Sequence, residues 1–237
     1  VKVLSFILLT FLVSLFGFAQ SPIGAWETSY KDSTGEDINM IVIFSEGYQV
    51  ATHFKSSNGE FVQTNGGSWS LEGFKMTEIV EFDNAKPERV GSEVSFEIEF
   101  PKNTQMKIKG HDLVLDRIDS GTPGELHGAW LMSGRKRNGE TQQRDTTKPR
   151  KTMKILSGTR FQWIAYNTET KEFKGTGGGT YTTVDGNYTE SIEFFSRDNS
   201  RVGANLDFNY KLVDGHWHHS GLSSKGQPLY EIWSLRN

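Results

Sequence analysis

The chain is predicted to be all-β and built twice over. It reads as two homologous domains of short antiparallel strands, each a sandwich or a closed barrel, behind a cleaved signal peptide. Three observations predict this: matched motifs recur in one order along the chain, apolar residues alternate with a period of two, and no window beyond residue 19 holds a helical period.

Residues 1–19, VKVLSFILLTFLVSLFGFA, carry one charge, Lys2, and then an unbroken apolar run to Phe16. Gly17 and Ala19 precede Gln20 in the small-x-small pattern that a signal peptidase cuts, so cleavage is expected after Ala19. The run is shorter than the roughly 20 residues of a spanning helix, and no basic stop-transfer cluster follows. A periplasmic or secreted protein with no integral membrane span is therefore expected. The absence of cysteine from all 237 residues excludes disulfides, thiolate catalysis and cysteine-ligated zinc. Six tryptophans and sixteen phenylalanines supply material for a packed core, which a disordered chain would lack.

The repeat opens with Gly24-Ala25-Trp26, which returns as Gly128-Ala129-Trp130 at an offset of 104. The offset then becomes 112 and holds. Glu60-Phe61 matches Glu172-Phe173, Gly66-Gly67-Ser68-Trp69 matches Gly178-Gly179-Thr180-Tyr181, and Thr77-Glu78 matches Thr189-Glu190. Glu81-Phe82 matches Glu193-Phe194, and Arg89-Val90-Gly91 matches Arg201-Val202-Gly203. One loop after the second Gly-Ala-Trp has grown by eight residues. Domains are expected over 22–120 and 126–237, joined by the linker-like Asp119-Ser120-Gly121-Thr122-Pro123-Gly124.

Strands are expected at Ile41–Phe44, Ile79–Phe82, Ser95–Phe100 and Asn205–Leu212, the last two in strict alternation. Asn58-Gly59, Asp185-Gly186 and Asp214-Gly215 sit where hairpin turns belong. Gly24-Ala25-Trp26 with Arg117, and Gly128-Ala129-Trp130 with Arg236, resemble the lipocalin (calycin-type) pattern of a first-strand Gly-x-Trp and a last-strand arginine. The chain is also similar to secreted lipocalin-like proteins of Bacteroidetes in Arg201-Val202-Gly203-Ala204 and Ser223-Ser224-Lys225-Gly226. The resemblance implies two tandem small antiparallel β-barrels. It also implies that Trp26 and Trp130 close the barrel floors under Arg117 and Arg236 through cation–π contacts.

Strand parity assigns faces. Leu206, Phe208, Tyr210 and Leu212 share one face, taken as the core face. A two-residue turn at Asp214-Gly215 sets Leu212 opposite Trp217 and Tyr210 opposite His219, so Trp217 and His219 point inward and His216 and His218 outward. Ile108 and Met106 are the first-repeat counterparts on that face. Glu78 and Glu190 also fall on core faces, and such carboxylates need partners; Arg89 and Arg201 are the expected ones. The expected ligand site lies in the second barrel, lined by Tyr166, Tyr181, Arg201, Tyr210, Trp217 and His219.

Residues 1–120 hold 10 basic and 17 acidic side chains, and residues 121–237 hold 16 and 12. Much of the second excess lies in the grown loop 135–151, expected over that barrel's mouth, where it would draw in an anion. The expected function is therefore non-catalytic binding of a small anionic or amphipathic molecule by an exported protein. The alternatives are a hydrolase, lyase or dehydratase acting on an anionic sugar through Glu190, His219 and Tyr210, or a structural module of the envelope. No cofactor or metal is expected: His216-Trp217-His218 has metal-ligand spacing but no matched third ligand. Gly175-Thr176-Gly177-Gly178-Gly179 lacks the lysine of a phosphate loop and reads as a barrel bend. The basic run has no interleaved aromatics, which argues against nucleic acid.

Overall fold

The computed structural model describes residues 20–122, 124–223 and 226–236; residues 1–19, where a signal peptide is expected, Pro123, Ser224-Lys225 and Asn237 lie outside them. Eight antiparallel strands close the first barrel: β1 (Gly24–Lys31), β2 (Asp37–Ser45), β3 (Tyr48–Lys55), β4 (Phe61–Glu72), β5 (Lys75–Asp83), β6 (Glu93–Lys102), β7 (Gln105–Ile108) and β8 (Val114–Asp119). The second is closed by β9 (Gly128–Arg137), β11 (Arg150–Leu156), β12 (Arg160–Asn167), β13 (Phe173–Val184), β14 (Asn187–Phe195), β15 (Asn205–Val213), β16 (His216–Leu222) and β17 (Pro228–Leu235). The grown loop folds into the short β10 (Glu140–Gln143), a hairpin on the far half of β9. No helix among the described residues is long and apolar enough to cross a membrane.

Hairpin chemistry sets the registers. Asp185-Gly186 and Asp214-Gly215 both take positive φ, as a two-residue type I′ turn requires. The second turn pairs Leu212 with Trp217 and Tyr210 with His219. The repeated Gly-Gly pairs answer to close backbone approach. A Cβ on Gly67 would stand 1.9 Å from the Ile79 carbonyl oxygen, and one on Gly179 would stand 2.0 Å from that of Ser191. Each marks a register shift that bends its barrel at the same place.

The repeat holds at the level of pairing between the first and second strands of each barrel and between the fourth and fifth. Trp26 faces Val42 where Trp130 faces Lys154, and Trp69 faces Glu78 where Tyr181 faces Glu190. Both floor tryptophans donate their indole N–H to a carbonyl four residues back, Pro22 for Trp26 (2.7 Å) and Leu126 for Trp130 (2.9 Å). Arg117 covers Trp26 as expected, with its guanidinium carbon 4.0 Å from the ring centroid.

Arg236 corrects the expectation for the second floor. Leu235, not Arg236, pairs with Trp130, whereas Arg117 itself pairs with Trp26. One residue along a strand reverses the face, so Arg236 leaves the barrel outward. It forms a bidentate ion pair with Glu81 of the first barrel (2.8 and 3.0 Å) and lies 3.8 Å from the Tyr48 ring centroid.

The two barrels pack on these outer faces with approximate twofold symmetry. Phe54 stacks on Phe194 at 5.2 Å, and their repeat mates Tyr166 and Phe82 meet at 4.9 Å. Phe61 stacks on its own counterpart Phe173 at 5.9 Å. Such reciprocal contacts are those of an isologous dimer, here within one chain. Ile41, Ile43, Met153 and Ile155 complete the buried interface, and at its centre Thr52 donates to Gln162 at 2.6 Å. Truncating Phe54 or Phe194 to alanine is expected to cost roughly 3–5 kcal/mol in urea unfolding of the whole chain. The double variant should cost about 1 kcal/mol less than the sum; strict additivity would mean that the two rings do not interact.

Candidate functional site

The two barrels differ in how their interiors are filled. In the second barrel Lys154 points inward from β11, since its neighbours Met153 and Ile155 face the first barrel. Its ammonium lies 2.6 Å from a Glu190 oxygen, and both side chains are about 95% buried. Tyr188 donates to the same carboxylate at 2.9 Å. The rings of Tyr188, Trp217, Trp233 and Phe208 surround the ammonium at 5.0–5.8 Å. A buried charge pair is tolerated when hydrogen bonds and cation–π contacts replace water, and this one is so supplied. Glu190 is thus held by Lys154 and not by the expected Arg201. Arg201 ends the short 3-10 turn Asn199–Arg201 on the rim, ahead of β15 rather than on it, and pairs with Asp198 at 3.4 Å.

The same positions in the first barrel carry smaller, neutral side chains. Val42 stands for Lys154, Met76 for Tyr188, Met106 for Trp217 and Leu115 for Trp233, and only Phe96 matches its counterpart Phe208. The result is a cavity of about 390 Å³ lined by Val42, Phe96, Met106 and Leu115 among others. Glu78, the counterpart of Glu190, lines it with Gln49, His53 and Asn65. Arg89 and Lys107 also reach it, each already matched to an acid: Arg89 to Asp83 at 2.9 Å and Lys107 to Glu99 at 3.1 Å. Arg89, like Arg201, ends a 3-10 turn, Pro87–Arg89, which explains why it reaches Asp83, at the end of β5 just before that turn, instead of Glu78.

The Glu78 side chain makes no hydrogen bond or ion pair with the described residues. Burial drives its carboxyl up to about 7, an effect only partly opposed by the charge of Arg89. His53, bonded through Nδ1 to the Tyr30 hydroxyl at 2.9 Å, is pushed down to about 4 by burial and is neutral at pH 7.

The expected second-barrel lining separates into distinct environments. Trp217 and His219 meet in the core at 5.5 Å, and His219 contacts Phe208 at 4.2 Å. Burial, then the charge of Lys154, lowers the His219 pKa, and its Nδ1 lies 3.3 Å from Glu231. Tyr181 is buried on the same core and donates to the Ser157 carbonyl at 2.6 Å, as Trp69 does to Ser45. Tyr166 faces the other way, donating its hydroxyl to Glu81 across the interface. Tyr210 is half-buried and donates to Glu125 at 2.7 Å, and Leu212, expected inward, is 47% exposed where β15 runs out past the barrel wall. His216 and His218 bond to Ser234 and Tyr230 on the outer face. Among the described residues no group of three or more His, Asp or Glu side chains could hold a metal.

Lys154 escaped the sequence reading, although a signal was present. Met153-Lys154-Ile155-Leu156 places one lysine in an apolar run at the position where the first repeat has Val42. Residues 125–234 match a protein family described as a domain of unknown function, DUF4488, which covers the second barrel and less than half of the chain. No curated protein matches the chain.

Two measurements follow from the paired glutamates. Lys154→Met should cost roughly 3–5 kcal/mol in chemical unfolding at pH 7, because it strands Glu190; adding Glu190→Gln should restore most of the loss. Glu78 in the folded chain holds its proton to about pH 7, against an ordinary 4.5. Folding therefore takes up a proton between these values, and the contribution of Glu78 to stability falls as pH rises through that window. Relative to Glu78→Gln, the native chain should lose on the order of 2 kcal/mol between pH 4.5 and pH 8, after allowance for water in the cavity. Parallel pH profiles for the two proteins would show that the carboxyl is not held in this way.

Proposed function

We propose that this is an exported, non-catalytic binding protein of the lipocalin-like kind, whose first barrel receives a small amphipathic ligand. The observation that carries this reading is the contrast between two copies of one fold. Where the second barrel is filled by Lys154, Trp217 and Trp233, the first has Val42, Met106 and Leu115 and keeps a cavity of about 390 Å³. That volume lies in the range of small-molecule sites, and an apolar wall with a few polar groups is their usual lining. The second barrel then serves as a filled brace, docked through the Phe54–Phe194 and Arg236–Glu81 contacts. Export rests on the signal pattern of residues 1–19.

The partners already engaged by Glu190 and Tyr210 favour binding over acid–base chemistry by Glu190, His219 and Tyr210. A second reading keeps an anionic ligand in the second barrel. It draws on the buried Trp217 Nε1, Trp233 Nε1 and His219 Nε2, which lack hydrogen-bond partners among the described residues.

The two readings separate with a neutral fluorescent probe, N-phenyl-1-naphthylamine, titrated into the whole chain. Saturable enhancement is expected for the native protein and for His219→Ala. It should be lost when Met106 and Leu115 are both replaced by tryptophan, the second barrel's filling, with folding checked by thermal melting. Binding that survives the filled variant and vanishes in His219→Ala would move the site to the second barrel.

A further inference from the structure

We propose that the ligand of the first barrel carries a protonated amine on an apolar body, and that the Glu78 carboxylate receives the amine as Glu190 receives Lys154. This rests on the first barrel being the binding site. The second barrel displays the interaction in full. There an ammonium on an aliphatic stem enters the interior, reaches a β14 carboxylate at 2.6 Å, and is walled by apolar and aromatic side chains. The first barrel keeps the carboxylate at the equivalent strand position and has lost the lysine to Val42. Relative to the second barrel, the first thus lacks one alkylammonium side chain, stem and head together.

The charges around the cavity agree. From the rim, Arg89 is matched by Asp83; from β7, Lys107 is matched by Glu99. On β3, His53 is neutral at pH 7 and bonded to Tyr30, and His111 lies exposed in the loop before β8. Glu78 is left as the charge without an ion-pair or hydrogen-bond partner among the described residues, Arg89 acting on it only from a distance. An uncompensated carboxylate in a partly dry site favours a cation that brings its own hydrogen-bond donors. The Lys154 stem shows that an unbranched chain fits such an interior. Residues 1–120 also carry a net charge of −7, which attracts a cation to this half of the molecule.

The test compares octylamine, octanol and octanoate, which share a tail and differ in head group, by calorimetric titration into the whole chain at pH 8. Octylamine is expected to bind about tenfold or more tightly than either analogue, one ion pair in a site of low polarity being enough for that factor. Glu78→Gln should remove this preference while leaving octanol within about threefold of its native affinity. Lowering the pH to 5.5 neutralises Glu78 while the amine, already protonated at pH 8, keeps its charge, so octylamine should weaken by about tenfold with little change for octanol. Val42→Lys, which writes in the second barrel's own ammonium, should block octylamine.

Equal binding of the three probes, unaltered by Glu78→Gln, overturns the amine assignment and leaves the cavity as the site. A preference for octanoate also overturns it, since Arg89 or Lys107 would then be the receiving group. If none of the three binds, the first-barrel site falls together with the inference.

Discussion

A strand that buries both of its faces leaves no side for water, and β2, β3, β11 and β12 do this over most of their length. Their inner residues fill or line a barrel, and their outer residues Ile41, Ile43, Phe54, Met153, Ile155 and Tyr166 are apolar or aromatic as well. A barrel of this kind cannot stand in water alone. The outer faces must be covered, and a second copy of the same surface covers them through reciprocal contacts about an approximate twofold axis. The Gln162–Thr52 bond and the Arg236–Glu81 pair lie within that contact and fix its geometry. Asp119 ties the linker to the turn before β12 with bonds to Ser157, Gly158 and Thr159, so the covalent connection is locked against the second barrel too.

Docking frees the two interiors to diverge. Stability lies in the shared face and in one densely filled core, and the other core can give up side-chain volume. The second barrel carries Trp130, Trp217, Trp233, Tyr188 and Phe208 around an internal ion pair. The first retains Trp26 on its floor and a tilted contact with Phe100, but Met and Leu where its partner has Trp. A cavity costs free energy in proportion to the contacts it lacks, and the chain bears that cost in one copy only. The charged residue follows the same division. Each barrel inherits an inward glutamate from the duplication; one is neutralised within the protein and the other is left facing open space.

Much of the fold was legible in the residues. The period-two alternation and the Asp-Gly turn placed Leu212 opposite Trp217 and Tyr210 opposite His219, because a two-residue hairpin leaves register no freedom. The ordered repeat gave two barrels with matching pairs. The errors came from long-range geometry. Parity alone sets Leu212 inward, yet β15 extends past the barrel wall there, and parity has no meaning without an interior. The repeat sets Arg89 and Arg201 beside the glutamates, but a 3-10 turn holds each with the acid just before it, Asp83 or Asp198.

By itself, the sequence determined what short-range physics controls: strand class, turn type, which side chains share a face within a strand, and the presence of a glutamate on the inner face of each copy. The tertiary structure alone decided which glutamate is paired, where Arg236 goes and which barrel is hollow. Lys154 reaches Glu190 across 36 positions, and Arg236 reaches Glu81 across 155. Neither contact is encoded in any local pattern: the first exists only once the second barrel closes, and the second depends on a single-residue offset against Trp130. Volume is likewise a property of the whole ring. Val42, Met106 and Leu115 are unremarkable core residues one at a time, and only the closed barrel, set beside its filled twin, shows the space they leave.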